Sequence, residues 1–178
     1  MRPLTRFTSL TVLALASATL TTAAIAKSGA QWQQLAAQSK LSLVQAIESA
    51  TRTVPGTVID AELDQGDAAG ARYELEVITP NGDSVEVWVN AVTGQAAQHK
   101  NEGKAKRKDL QRLEDAKATL PQAIQSATAH TPGTAVAAEL DSHWGTTSYQ
   151  VDVLQADGVL MEVKVDAADG RVIRAKRD

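Results

Sequence analysis

One stretch of this chain is written twice. Ser42-Leu43-Val44-Gln45-Ala46-Ile47 leads through Val54-Pro55-Gly56-Thr57 to Ala61-Glu62-Leu63-Asp64. Displaced by 77 positions, it returns as Thr119-Leu120-Pro121-Gln122-Ala123-Ile124, then Pro132-Gly133-Thr134, then Ala138-Glu139-Leu140-Asp141. After a one-residue deletion the correspondence continues, pairing Tyr73 with Tyr149, Val77 with Val153, Gly82 with Gly158 and Gly94 with Gly170. A register of that length does not persist by chance, so the chain is a duplicated small unit. A unit of about 60 residues is marginal alone. The chain has no Cys, so no disulfide substitutes for apolar burial. The two copies are therefore expected to touch.

The duplication divides the chain into an expected signal peptide at 1–26, a lead-in at 27–41, a first repeat at 42–98, a charged linker at 99–118 and a second repeat at 119–178. Arg2 and Arg6 precede the mostly apolar run Phe7 to Leu20, and Ala24-Ile25-Ala26 supplies the small residues of a cleavage site. The run is short for a membrane span. With no second long apolar segment, no stable membrane insertion is expected after cleavage, and the protein is expected to be periplasmic or secreted. Removal of 1–26 leaves 16 basic against 21 acidic residues, a formal charge of −5, which opposes binding to nucleic acid or anionic lipid. The lead-in, with Trp32 and Leu35, reads either as a frayed helix or as unstructured chain.

Each repeat opens with a helix. Ser42 and Gln45 have the spacing of a capping box, and Leu43, Ala46, Ile47 and Ala50 form one apolar stripe that ends at Pro55-Gly56. Thr119 and Gln122 repeat the box, and Leu120, Ala123, Ile124 and Ala127 repeat the stripe. Three strands are predicted to follow. Tyr73, Leu75 and Val77 alternate with Glu74 and Glu76, as do Val85, Val87 and Val89 with Glu86, Trp88 and Asn90, about the turn Pro80-Asn81-Gly82-Asp83. The fold class expected is α+β, two tandem αβββ units, each a helix packed on a small antiparallel sheet. Thr93-Gly94 and Asp169-Gly170 are closing turns that leave room for a short last strand. In the linker, Leu110 and Leu113 would extend the second helix, and Lys104 to Lys108 read as a solvated run.

These residues resemble the PepSY family, named from peptidase propeptides and a spore-cortex regulator. The resemblance rests on Leu43-x-x-Ala46-Ile47, Val54-Pro55-Gly56-Thr57-Val58, Tyr73-Glu74-Leu75-Glu76-Val77, Val85-Glu86-Val87 and Asn90-Ala91-Val92-Thr93-Gly94. The second copy carries it through Ala123-Ile124, Pro132-Gly133-Thr134, Tyr149 to Val153 and Asp166-Ala167-Ala168-Asp169-Gly170. Asn90, Asp169 and Thr131 depart from the usual pattern. The resemblance implies a non-catalytic module that binds, inhibits or regulates other exported proteins, often proteases. No protease domain follows, so action in trans is expected.

An enzyme reading finds little support in the residues. Thiol chemistry is absent, His99, His130 and His143 lack metal-ligand spacing, and no nucleophile elbow or phosphate loop occurs. The pairs Glu74/Glu76, Glu62/Asp64 and Glu139/Asp141 fall on the wet face of strands by alternation, where acids are ordinary surface. No catalytic residue, metal or cofactor is assigned. Trp88 shares its face with Glu86 and Asn90 and so stands on the sheet's uncovered side, either as a partner anchor or covered by the other repeat or by residues 30–40. Its twin is Lys164. His143 and Trp144 fall at a loop tip with no evident core to enter. Trp88, His143 and Trp144 are therefore the candidate partner-binding residues. The expected partner is another exported or membrane-anchored protein, a peptidase or a sensor; the alternative is a small-ligand or cation-binding protein using the groove between repeats and the acidic loops.

Overall fold

The structure, a computed structural model, describes residues 27–66 and 70–178. The expected signal peptide lies outside the described residues.

The two helices start where the sequence places them. Helix α2 (Leu43–Thr53) follows Ser42, whose hydroxyl accepts from the Gln45 N–H while the Gln45 side chain accepts from the Ser42 N–H. Helix α4 (Leu120–His130) has the same reciprocal cap from Thr119 and Gln122, with Pro121 in its first turn. These caps satisfy N–H groups that the helix cannot. Two further helices precede them, α1 (Gly29–Gln38) and α3 (Arg107–Asp115). The lead-in is thus helical. Helix α3 is separate from α4, not the continuation expected through Leu110 and Leu113.

Four strands, not three, follow each of α2 and α4. The first set is β1 (Thr57–Gln65), β2 (Ala71–Ile78), β3 (Asp83–Asn90) and β4 (Ala96–Lys104). The second is β5 (Thr134–His143), β6 (Thr146–Leu154), β7 (Leu160–Asp166) and β8 (Val172–Arg177). The αβββ expectation is corrected on this point. Strand β4 takes up the first residues of the segment expected to be a linker from 99. Its polar composition hid it, because it is an edge strand with only Ala96 contributing to the interior.

The strands do not form two small sheets. They make one antiparallel sheet of eight in the order β4-β3-β2-β1-β5-β6-β7-β8. The repeats meet where β1 pairs with β5 through Asp60 with Glu139, Ala61 with Ala138, and Glu62 with Ala137. Ala61 and Ala138 are equivalent positions, so an approximate twofold axis passes between them. This junction shares one core between two marginal units.

One face of the sheet is covered by α2 and α4. Leu43, Ala46 and Ile47 from the first, and Leu120, Ala123 and Ile124 from the second, are buried with Tyr73, Leu75, Val77, Val87, Tyr149, Val151 and Val163. Burial of each large aliphatic side chain contributes about 2 kcal/mol. Both repeats close the helix onto the sheet with the same clasp. The Lys40 and Leu41 N–H groups donate to the Ala91 carbonyl, and those of Lys117 and Ala118 to that of Ala167. The Tyr73 hydroxyl donates to the Leu41 carbonyl and the Tyr149 hydroxyl to the Ala118 carbonyl, each at 2.6 Å.

Helix α1 lies across the junction, touching β1 and β2 of its own repeat and β5 and β6 of the other. Its Trp32 and Leu35 are buried. At the equivalent positions α3 carries Asp109 and Arg112. These form an ion pair at 3.0 Å, and Arg112 also bonds Asp141. The same element is anchored by apolar burial in one copy and by charge in the other.

Candidate functional site

Alternation along the strands puts a second set of residues on the face opposite α2 and α4. Register then arranges them in rows. One row runs Arg174, Lys164, Gln150, Glu139, Asp60, Glu76, Glu86 and Lys100, from β8 to β4. The neighbouring row runs Lys176, Glu162, Asp152, Ala137, Glu62, Glu74, Trp88 and Ala97. Four consecutive acids therefore face one another across β5, β1, β2 and β3. Like charges placed directly opposite are unfavourable.

The acids at the junction respond accordingly. Asp60 is pushed up to about 7 by desolvation on the groove floor, although solvent still reaches it, and then by repulsion from Glu139, Glu62 and Glu76. Asp152 is pushed up to about 7, again by desolvation first and then by Asp178, Glu162, Glu139 and Glu62. Glu139 is raised by desolvation and by Asp141, against the lowering influence of Arg112 and Lys164. These groups line a shallow groove of about 160 Å³ with Glu62, Ala137, Ala138 and Gln150. The Asp152 Oδ1 atom is buried there without a hydrogen-bond partner among the described residues. Among the described residues, no group of three or more His, Cys, Asp or Glu side chains is placed to hold a metal ion.

Several of the carboxylates on this face are tied down. Glu76 accepts from the Ser84 hydroxyl at 2.6 Å, and Glu74 from both Nε and Nη2 of Arg72. Lys27, ahead of α1, reaches Glu62 at 2.5 Å and Asp64 at 3.2 Å, with its ammonium 4.8 Å from the Trp32 ring.

Trp88 stands on this open face. Its indole lies between the His99 ring, stacked at 3.4 Å and 10° from parallel, and the Arg72 guanidinium at 3.7 Å. Its Nε1 donates to Glu86 at 2.7 Å. The ring is thus flanked by β4 and β2 of its own repeat, not by the other repeat or residues 30–40 as expected. The register sets Trp88 beside side chains of its two neighbouring strands. His99, itself exposed, is half of that stack. Nothing in the sequence signalled it, because the extent of β4 was not legible.

Trp144 is at the tip of the β5–β6 hairpin, 93% exposed, with a left-handed φ of 52°. His143 packs edge-on to it, ring centroids 5.6 Å apart at 86°. His143 also lines a groove of about 380 Å³ with Thr146, Ser148, Lys164, Ile173 and Arg174. The structure therefore puts His143 and Trp144 together and Trp88 in the other repeat. His130 bonds Thr131 Oγ1 at 3.1 Å, away from both.

The family profile described as PepSY, "Peptidase propeptide and YPEB domain", matches residues 40–98 and 117–176. The chain belongs to the PepSY family. It carries two PepSY copies in tandem; the matched segments take in α2 with β1 to β3 and the start of β4, and α4 with β5 to β7 and nearly all of β8. The uncharacterised protein YkoJ of Bacillus subtilis strain 168 is 30% identical over 129 residues, which span 72% of this chain and 70% of YkoJ. Two solved structures are more distantly similar. The Bacillus megaterium YpeB C-terminal domain is 15% identical, with a TM-score of 0.28, over 78% of this chain and 66% of its own. A crystal structure of a Clostridium difficile 630 protein is 21% identical, with a TM-score of 0.42, over 68% of this chain and 82% of its own. No helix among the described residues is long and apolar enough to cross a membrane.

Proposed function

We propose that this PepSY pair is an exported, non-enzymatic binding module that regulates or inhibits another extracytoplasmic protein, such as a peptidase or a sensor domain. The observation that carries this reading is the fully exposed Trp144 at a hairpin tip. A large aromatic side chain in water, at the tip of a hairpin, is the kind of group that anchors interfaces. The family description, with its peptidase propeptides, supports a protein as the partner.

Docking uses the open sheet face together with the His143–Trp144 tip. The sheet edges are poor sites for an added strand. Strand β4 carries Lys100, Glu102 and Lys104 and two register shifts, and β8 carries Arg174, Lys176 and Arg177. Edge charges and bulges of this kind oppose strand addition.

Trp88→Ala and Trp144→Ala, singly and together, test the reading. The chain and its variants are used to capture proteins from an exported fraction. Partner capture by the parent chain and its loss in the double variant are expected. Undiminished capture by the double variant would show that these residues do not form the interface.

A further inference from the structure

Besides the junction groove, two grooves of the open face occupy the same place in each repeat. The groove of about 380 Å³ in the second repeat has a counterpart of about 240 Å³ in the first. The linings correspond position by position under the duplication: Gly66 with His143, Arg72 with Ser148, Trp88 with Lys164, and Ala97 with Ile173. A concavity kept in both copies while its lining changes is a feature of the architecture.

The two linings differ in what they have left to give. In the first repeat, Arg72 is engaged by Glu74 and by the Trp88 ring, and Trp88 by Glu86 and His99. In the second, Lys164 has no hydrogen bond or close ion pair among the described residues and acts on Glu139 only through its charge. Arg174 touches Glu162 only at 3.5 Å, and Glu162 is already paired with Lys176 at 3.0 Å. Beside these cations stand Ile173, 53% exposed, and, next to His143, Trp144. The groove therefore offers excess positive charge next to exposed apolar surface. Gln150 separates it from the acidic row that begins at Glu139.

We infer that this groove binds a peptide segment of a partner protein in which a carboxylate adjoins a large apolar side chain. The carboxylate sits on Lys164 and Arg174, and the apolar group sits against Ile173 and Trp144. An extended anionic surface such as a bilayer does not fit. It would also meet the row of Glu139, Asp60, Glu76 and Glu86 on the same face, which repels it. A short segment reaches the groove without crossing that row. This assignment rests on the binding-module reading and names the chemistry that one of its surfaces selects.

Panning the purified chain against a random dodecapeptide display library tests it. Enrichment of Asp or Glu beside Leu, Ile, Phe or Trp is expected. An enriched peptide, followed by fluorescence anisotropy, should bind about tenfold more weakly to the Lys164→Glu/Arg174→Glu variant and lose affinity with added salt. Circular dichroism verifies that the variant is folded, and Lys164→Gln provides a milder second variant. No enrichment, enrichment of basic peptides, or equal binding by the parent chain and the Lys164→Glu/Arg174→Glu variant would overturn the assignment. A partner captured through Trp88 and Trp144 but indifferent to Lys164→Glu/Arg174→Glu would remove the groove and leave the module reading standing.

Discussion

Asp60 and Glu139 stand directly opposite each other on the strand pair that joins the two repeats. The twofold-related pair is Glu62 with Ala137. The junction therefore keeps an acid–acid confrontation on one side and has an alanine on the other. Deprotonation at this point works against the contact that unites the repeats.

Stability should accordingly fall as pH rises. Asp60 and Asp152 are both pushed up to about 7 in the folded chain, from an ordinary value of 3.8. The folded state then holds protons that the unfolded state has released, so their contribution is fully present below about pH 4 and is lost as pH approaches 7. Other acids bonded only when ionised act oppositely at low pH, so the test belongs between pH 5 and 8. Thermal melts should show Tm decreasing over that window. Asp60→Asn should flatten the decline and stabilise the chain at pH 8 by about 1 kcal/mol, allowing for solvent screening. An Asp60→Asn chain with the parent's pH slope would contradict this.

The clasp between sheet and helix should matter equally in both repeats. Tyr73→Phe and Tyr149→Phe each remove a hydroxyl that donates to a backbone carbonyl. Each should destabilise by about 1–2 kcal/mol in denaturant melts, with the carbonyl left without its donor. Desolvation pushes Tyr149 up to about 12, so absorbance titration should show its ionisation only in strong alkali.

Gly56 and Gly133 should resist any side chain. A Cβ on Gly56 would overlap the Ile78 carbonyl oxygen and come within 2.8 Å of Val77 Cγ1, and one on Gly133 would meet the Leu154 carbonyl oxygen and Val153 Cγ1. Both clashes involve backbone that the sheet ladder fixes. Gly→Ala at either site should reduce stability by about 2 kcal/mol or more, read by chemical denaturation. Both conclude the Pro-Gly corner, where the helix hands over to the first strand.

The differing anchors of α1 and α3 give a paired test. Trp32→Ala should cost about 3 kcal/mol through the cavity it leaves, whereas Arg112→Ala should cost about 3 kcal/mol by leaving buried Asp109 without its cation. Only the second loss should be relieved by also replacing Asp109 with Asn, which removes the charge left behind. Denaturant melts of Trp32→Ala, Arg112→Ala and Arg112→Ala/Asp109→Asn provide the comparison.

Those helices also show where the sequence stopped being informative. The capping boxes, the Pro-Gly corners and the Tyr, Leu and Val alternation were legible because they are local rules. The relation of α1 to α3 was not, because Trp32 and Leu35 become Asp109 and Arg112, and the shared anchoring is visible only in three dimensions. Strand β4 was legible only as room for a short last strand after Thr93-Gly94, for a related reason: an edge strand buries little and so loses the apolar alternation that would have shown its extent. Continuity of the sheet depends on the Ala61–Ala138 contact, which two alanines do not announce. Trp88 was rightly assigned to the open face by alternation, but its stacking on His99 needed β4.

Side-chain footprinting of the chain, alone and with a captured partner, tests the central claim most directly. Carboxyl labelling reports on the acids and mild oxidation on the tryptophans. The account predicts protection of Trp144 and of open-face acids such as Glu139 and Asp60, with Glu48 on the helical side unchanged. Protection at Glu48 with Trp144 and the open-face acids labelled as freely as before would contradict it.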